Sequence, residues 1–184
     1  MISAIVLAAG ASRRLGEPKQ LARIGDETLL HRAVSIAISA SLRPVLVVVN
    51  NAAVIEPLQA MGAQALINHE HLQGMATSIH AGVRWAGSIN ASGVIIMACD
   101  QPALTAQHLL QLTAQPGSMS GSAYAGKIGI PAYFPATKFS DLMNLQGDTG
   151  AREMLRNTRA VLAEELQLDI DTPQDLKRAR ELFG

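Results

Sequence analysis

The chain has 184 residues, of which 48 % are hydrophobic and 16 % charged, a composition typical of a globular protein of one domain. Fifteen basic and fifteen acidic residues cancel, which argues against a nucleic-acid-binding protein and restricts any anion site to a local one. The single cysteine, Cys99, excludes an intramolecular disulfide, and no apolar run approaches the ~18 residues of a membrane span, so we expect a cytoplasmic protein without membrane contact.

Short apolar runs alternate with helical patterns over residues 1–114. Runs such as AIVLA and VLVVV are apolar at every position, which is typical of strands covered on both faces in a parallel sheet. The predicted strands are Ser3–Ala8, Pro44–Val49, Ala63–Ile67 and Gly93–Ala98, and the predicted helices are Thr28–Ser41, Ala53–Met61, Met75–Ala86 and Thr105–Leu112. This order predicts an α/β fold, a Rossmann-like three-layer α/β/α sandwich with a mostly parallel sheet.

The alternation of apolar strands and helical patterns ends at Ala114, after which glycine and serine become frequent. Residues 115–160 predict short strands near Ser122–Ala125 and Pro131–Phe134, followed by helices over Thr137–Leu145 and Thr149–Thr158. Residues 161–184 predict a returning strand in LDID and a final amphipathic helix, with Thr172 as N-cap and Pro173 at its first position. We expect these three parts to form one domain.

The loop after the first strand, within LAAGASRRLGEPKQL (residues 7–21), combines glycine, small residues and cations. In an open parallel sheet, ligands bind beyond the carboxyl ends of the strands, where this loop would lie. It is neither a P-loop nor a G-x-G-x-x-G motif. Its backbone N–H groups can line phosphate oxygens, and Arg14 and Lys19 can neutralise a triphosphate. A solvated loop with incidental charges is the alternative that these residues leave open.

A second candidate site is Asp100, which follows the buried strand in IIMACDQPALT (residues 95–105). A carboxylate at this edge suits Mg²⁺, which binds phosphates together with one or two protein carboxylates. Alternatively, Asp100 caps the turn before Pro102.

The opening loop resembles the nucleotide-binding signature L-A-A-G-x-S-x-R-[ML]-G-x-x-K of the nucleoside-triphosphate transferase superfamily. The matching residues are Leu7, Ala8, Ala9, Gly10, Ser12, Arg14, Gly16 and Lys19. Within the superfamily the whole chain is most similar to molybdenum cofactor cytidylyltransferases, which are related to the guanylyltransferases of the same cofactor. The resemblance implies a nucleotide-diphospho-sugar transferase-like fold, in which residues 1–114 bind the nucleotide and residues 115–160 the acceptor.

The same resemblance implies a role for each remaining motif. CDQP and DIDTP imply a metal site for Mg²⁺ or Mn²⁺ on Asp100 and Asp171, with Asp169 a weaker candidate. The nucleotide-binding set is completed by Asn68, Gly74, Met75 and Ser78. The acceptor-binding set is Pro131, Gly147, Asp148, Gly150 and Arg152, from GIPAYF and LQGDTGARE. Many relatives carry a polar residue where Ile130 stands, so no polar contact is expected from it.

The implied reaction transfers CMP from CTP to the terminal phosphate of molybdopterin, with Arg14, Lys19 and Asp100 as catalytic residues. Guanylyltransferases carry a second glycine where Ala9 stands, and they tend to differ at Gln101, so both residues favour CTP. The alternatives are a GTP-using guanylyltransferase, a sugar- or polyol-phosphate nucleotidyltransferase, and a non-catalytic nucleotide sensor or cofactor chaperone. The expected partners are the two substrates and a recipient molybdoenzyme or its chaperone.

Overall fold

The computed structural model describes residues 1–148 and 150–184, in which nine strands and seven α-helices follow one another. The strands are β1 (Ile2–Ala8), β2 (Arg23–Ile24), β3 (Glu27–Thr28), β4 (Val45–Val49), β5 (Gln64–Ile67), β6 (Gly93–Ala98), β7 (Ser120–Tyr124), β8 (Lys127–Pro135) and β9 (Arg159–Leu162). The helices are α1 (Leu29–Ser39), α2 (Ile55–Ala60), α3 (Met75–Ser88), α4 (Ala106–Leu112), α5 (Phe139–Met143), α6 (Arg152–Leu155) and α7 (Pro173–Phe183). No helix of the described part is long and apolar enough to cross a membrane.

Seven strands form one sheet in the order β5-β4-β1-β6-β8-β7-β9. Strands β5, β4, β1 and β6 pair in parallel with one another, whereas β8 runs antiparallel to both β6 and β7. Because β9 is parallel to β7, β8 is the one strand of this sheet that runs against the rest. The predicted mostly parallel sheet is confirmed, and the carboxyl ends of β1, β4 and β6 share one edge with the start of β8.

Helices cover both faces of the sheet, which gives the predicted three layers. On one face, alternate residues of β1, β4 and β6 pack against α1 and α4, as Val6 and Val47 do in the cluster that includes Leu109 of α4. On the other face, the intervening residues pack against α3 and α5, as Ile5 does in the cluster that includes Ile79 of α3. Strands buried on both faces have no polar side to alternate with, which explains their continuous apolar runs.

Three helices, α1, α4 and α7, begin at a threonine cap, of which Thr172 is predicted from the sequence. Thr28 and Thr105 each accept a hydrogen bond from a backbone N–H in the first turn of α1 and α4. Thr172 and Asp175 form a reciprocal capping box at the start of α7, with Pro173 in the first turn. This box fixes the chain direction just after Asp171.

The structure corrects the prediction for the last third of the chain in two places. The returning strand is β9, at Arg159–Leu162, because its register against β7 completes the sheet. The predicted strand in LDID is wrong: residues 168–171 lie outside the sheet, and Ile170 N donates to the Asp100 carbonyl at 2.9 Å while its side chain packs under α7. The helix predicted over Thr149–Thr158 is shorter, at Arg152–Leu155, and Thr149 lies outside the described residues. The β2–β3 hairpin was not predicted.

Candidate active site

The loop after β1 is held at both ends. Leu15 is buried in a small cluster with Ile170 and residues of α7. The Ser12 hydroxyl accepts a hydrogen bond from Lys19 N at 2.9 Å, and Ser12 itself adopts a left-handed backbone with φ of 47°. These contacts leave Gly10 and Ala11 as an open backbone stretch at the carboxyl edge of the sheet, with no atom within 4 Å of where a Gly10 Cβ would lie.

Lys19 joins two carboxylates that are distant in sequence. Its Nζ donates to Asp100 Oδ2 at 2.8 Å and to Asp171 Oδ1 at 2.7 Å. The side chain of Lys19 is 15 % exposed and those of the two aspartates 21 % and 28 %. Burial alone lowers the pKa of Lys19, but attraction to Asp100 and Asp171 outweighs burial, so its pKa lies above the ordinary 10.5. The ammonium group is therefore charged at neutral pH.

Arg14 adds a second cation to this cluster. Its Nη2 contacts Asp171 Oδ2 at 2.5 Å, but the Arg14 side chain is 72 % exposed. Exposed ion pairs contribute little to stability, so Arg14 can exchange this partner for an incoming anion at small cost. Burial and, after it, the negative charges of Asp100 and Asp171 raise the pKa of Asp169.

A second loop brings the start of α3 against the segment around residue 148. Gly74 has a φ of 114°, and a Cβ built on it would lie 2.5 Å from the Gly147 carbonyl carbon. Met75 N donates to Asp148 Oδ1 at 3.1 Å, and Ala76 N donates to the Gly147 carbonyl at 3.0 Å. Asp148 therefore caps α3, a helix far away in sequence, whereas α6 begins without a side-chain cap.

These elements enclose a cavity of about 510 Å³ at the carboxyl edge of the sheet. It brings together most of the residues singled out from the sequence: Leu7, Ala8, Ala9, Gly10, Ser12, Arg14, Lys19, Gly74, Met75, Ser78, Asp100, Asp148 and Asp171. Its volume is in the range of small-molecule and cofactor sites. Cations, carboxylates and open backbone thus converge on one concave surface.

Five residues from the sequence-based sets do not line this cavity. Asn68 is buried and orients the loop instead, since its Nδ2 donates to the hydroxyls of Thr77 and Ser78. Pro131 and Gly150 are buried, and Gly147 packs against Gly74. Arg152 lines a separate surface cavity of about 540 Å³ with Lys127 and Arg156.

Sequence reasoning missed several lining residues. Leu72 and Ile130 form apolar parts of the wall, and Leu72 is 72 % exposed. Gln20 lines the cavity beside Lys19, and its Nε2 donates to the Asn50 side chain at 3.4 Å. Cys99 also lines it, but burial raises the pKa of this thiol to about 12, so it is not a thiolate nucleophile at neutral pH. The motifs CDQP and GIPAYF contain Cys99 and Ile130 but imply no role for either, and only the fold shows that these residues line the cavity.

The two carboxylates are suited to a divalent cation. Both Asp100 and Asp171 contact the same Lys19 nitrogen, so they are close enough to share one cation. In the described part of the chain, histidine, cysteine and acidic residues form no cluster of three or more that could hold a metal. Carboxylate oxygens are the ligands that Mg²⁺ and Mn²⁺ prefer, so Asp100 and Asp171 could hold such a cation together with phosphate oxygens of a substrate.

Comparison with known proteins identifies the family of the chain. A model of the MobA-like NTP transferase domain family matches residues 4–163. The purine catabolism protein PucB of Bacillus subtilis (strain 168) is 33 % identical in an alignment of 197 positions, gaps included. The alignment covers 98 % of this chain and 96 % of PucB.

Solved structures give the same result. The structure of Rv0371c from Mycobacterium tuberculosis H37Rv has a TM-score of 0.83 at 27 % identity, covering 98 % of this chain and 97 % of that one. The complex of Rv0371c with manganese has a TM-score of 0.78 at 24 % identity, with the same coverage. A nucleotidyl transferase from Methanothermobacter thermautotroptrophicus has a TM-score of 0.84 at 27 % identity, covering 100 % and 97 %. The chain therefore belongs to the MobA-like NTP transferase family and is a nucleotidyltransferase.

Proposed function

We propose that the protein transfers CMP from CTP to the terminal phosphate of molybdopterin in the molybdenum cofactor, giving the cytosine dinucleotide form and pyrophosphate. The observation that carries this proposal is the Lys19 ammonium between Asp100 and Asp171, beside Arg14 and the open backbone of the β1 loop. These groups are arranged to hold a triphosphate and a divalent cation together. The matched motifs over the whole chain support the pterin as acceptor.

In the proposed reaction, an oxygen of the acceptor phosphate forms a bond to the α-phosphorus of CTP. The bond from that phosphorus to the oxygen bridging to the β-phosphate breaks, and pyrophosphate leaves. The attacking phosphate is already anionic at neutral pH, so no general base is required. Catalysis must overcome the repulsion between the two negatively charged substrates, and cations positioned in the site reduce that repulsion.

The residues of the chain divide this task. The backbone N–H groups of Gly10 and Ala11 line the phosphates, and Lys19 and Arg14 balance the charge that grows on the leaving pyrophosphate. Mg²⁺ or Mn²⁺, held by Asp100 and Asp171, would supply further charge neutralisation on the phosphate oxygens. The manganese complex of Rv0371c supports a divalent cation of this kind.

The choice of CTP rests on Ala9. This residue lines the cavity and packs in the apolar cluster under α3, so a glycine here would leave more room at the wall for a larger base. Gln101 is buried, and its Nε2 donates to the Leu166 carbonyl at 3.1 Å, so this side chain has no direct contact with the cavity. A smaller pocket favours a pyrimidine over a purine.

The test is pyrophosphate release with Mg²⁺ and molybdenum-loaded molybdopterin, with CTP and GTP measured side by side. We expect release with CTP that depends on the pterin and is lost in Lys19→Met. Lys138→Met is the matched control, because Lys138 forms an exposed pair with Asp141 away from the cavity. Faster pyrophosphate release with GTP than with CTP would show that the nucleotide substrate is GTP. CTP binding without release, with any phosphorylated acceptor, would favour a nucleotide sensor.

A further inference from the structure

Strand β8 bulges where it reaches the cavity. Gly121 of β7 is opposite Ala132, but the next residue, Ser122, is opposite Gly129. Ile130 and Pro131 are therefore left without partners on β7, and their backbone groups are outside that ladder. Bulges of this kind re-aim a side chain near the edge of a sheet.

Two side chains of β7 replace the lost backbone hydrogen bonds. The Tyr124 hydroxyl donates to the Ile130 carbonyl at 2.9 Å, and the Ser122 hydroxyl donates to the Pro131 carbonyl at 2.6 Å. Gly129 allows the first bond, because a Cβ there would lie 3.0 Å from the Tyr124 hydroxyl oxygen. The bulge is therefore pinned from β7 at two successive carbonyls.

His108 of α4 fixes the second of these bonds. Its Nε2 lies 2.7 Å from the Ser122 hydroxyl oxygen, and His108 is 5 % exposed. The single proton of Ser122 is used on a carbonyl, which can only accept, so His108 Nε2 must donate its own proton to Ser122. Burial lowers the pKa of His108, which agrees with a neutral ring in this tautomer.

Ile130, whose carbonyl is held by Tyr124, lines the active-site cavity on the side opposite the β1 loop. In the sheet, β6 lies between β1 and β8, so Asp100 at the end of β6 separates the nucleotide loop from Ile130. Ile96 is opposite Ala132, which places Ile130 two residues nearer the edge that carries Asp100. Ile130 is therefore an apolar part of the cavity wall on the side of Asp100 away from the β1 loop. Asp148 lines the same cavity.

We propose that Tyr124, Ser122 and His108 are positioning residues that hold Ile130 against the acceptor substrate. The acceptor that fits this wall carries a phosphate, which reaches the cations, and a flat or apolar face, which packs on Ile130. The inference rests on the proposed function, because it assigns this side of the cavity to the acceptor. It adds three residues that touch neither substrate but set the affinity for one of them.

The test is the steady-state kinetics of Tyr124→Phe and Ser122→Ala, with the acceptor and CTP varied separately. We expect each change to raise the acceptor KM about fivefold, the equivalent of one hydrogen bond, and to leave the KM for CTP unchanged. Ile130→Ala keeps both hydrogen bonds and should give the same pattern.

The control is Tyr133→Phe, which removes a similar bond on the same strand from a residue that keeps its partner on β7, outside the bulge. The Tyr133 hydroxyl donates to the Pro116 carbonyl at 2.7 Å, so its loss should lower the melting temperature without changing the acceptor KM. An unchanged acceptor KM in Tyr124→Phe and Ile130→Ala overturns the inference alone, as does an equal rise in the KM for CTP. Wild-type protein that transfers nothing to molybdopterin overturns the proposed function and the inference with it.

Discussion

Replacing Lys19 with methionine tests the charge cluster at the centre of the site. The change keeps the length of the side chain but removes the ammonium that joins Asp100 and Asp171 at 2.8 and 2.7 Å. Hydrogen bonds to charged groups contribute roughly 1.5–3 kcal/mol each when they are shielded from water. The three side chains are 15–28 % exposed, so solvent reduces this value, and we expect a net loss of about 2 kcal/mol.

The loss is measurable by thermal and urea unfolding at neutral pH. For a chain of this size, about 2 kcal/mol corresponds to a fall in Tm of roughly 4–8 °C. Lys138→Met should change the unfolding free energy by less than about 0.5 kcal/mol, because its ion pair is exposed. An unfolding free energy equal to that of wild type would refute the reasoning that the ammonium is a structural part of the site.

The pH dependence follows from the sign of the pKa shift. The folded-state pKa of Lys19 lies above 10.5, so its contribution is fully present below that pH and is lost as the pH rises through the folded-state value. The difference in stability between wild type and Lys19→Met should therefore be constant through neutral pH and shrink as the pH rises into alkali. In the variant, Mn²⁺ should raise the Tm more than in wild type, because both carboxylates are released from the ammonium.

Three further changes test other parts of the site. Asp100→Asn should lower pyrophosphate release about 100-fold or more while the melting curve keeps its cooperative shape, and a normal rate would remove Asp100 from the catalytic set. Ala9→Gly should increase the rate with GTP relative to CTP, and an unchanged ratio in competition assays would show that the base is selected elsewhere. Gly74→Ala should lower the Tm and the affinity for CTP, since its Cβ would collide with Gly147. The control Gly87→Ala, near the end of α3, should raise the Tm slightly, because no atom lies within 4 Å of the added Cβ and alanine favours a helix. Equal effects of the two changes would contradict the tight contact at Gly74.

Much of the fold could be predicted because buried parallel strands have an unmistakable pattern. The runs of β1, β4 and β6 are apolar at every position, and their alternation with helical segments predicts the mostly parallel sheet between two layers of helices. The β2–β3 hairpin was missed because strands of two residues carry no measurable periodicity. Strand β9 was missed because only its pairing with β7, a contact between distant segments, distinguishes it from a helix end.

The site could be predicted only where a motif carries it. The loop after β1, Asp100 and Asp171 each follow a recognisable pattern, and the structure brings them into contact through Lys19. The bulge at Ile130 has no such signal, since it arises from a register shift between two strands. The role of Asp148 as the cap of α3 likewise depends on tertiary contact, because caps read from sequence are sought next to the helix that they serve.

That cap joins the two loops on opposite sides of the cavity. The N–H group of Met75 donates to Asp148, and a Cβ on Gly74 would collide with Gly147, so a movement of one loop strains its contacts with the other. We therefore expect a ligand that tightens one loop to change the binding free energy on the opposite side. Because such coupling is reciprocal, the factor by which an acceptor changes the affinity for CTP is also the factor by which CTP changes the affinity for the acceptor.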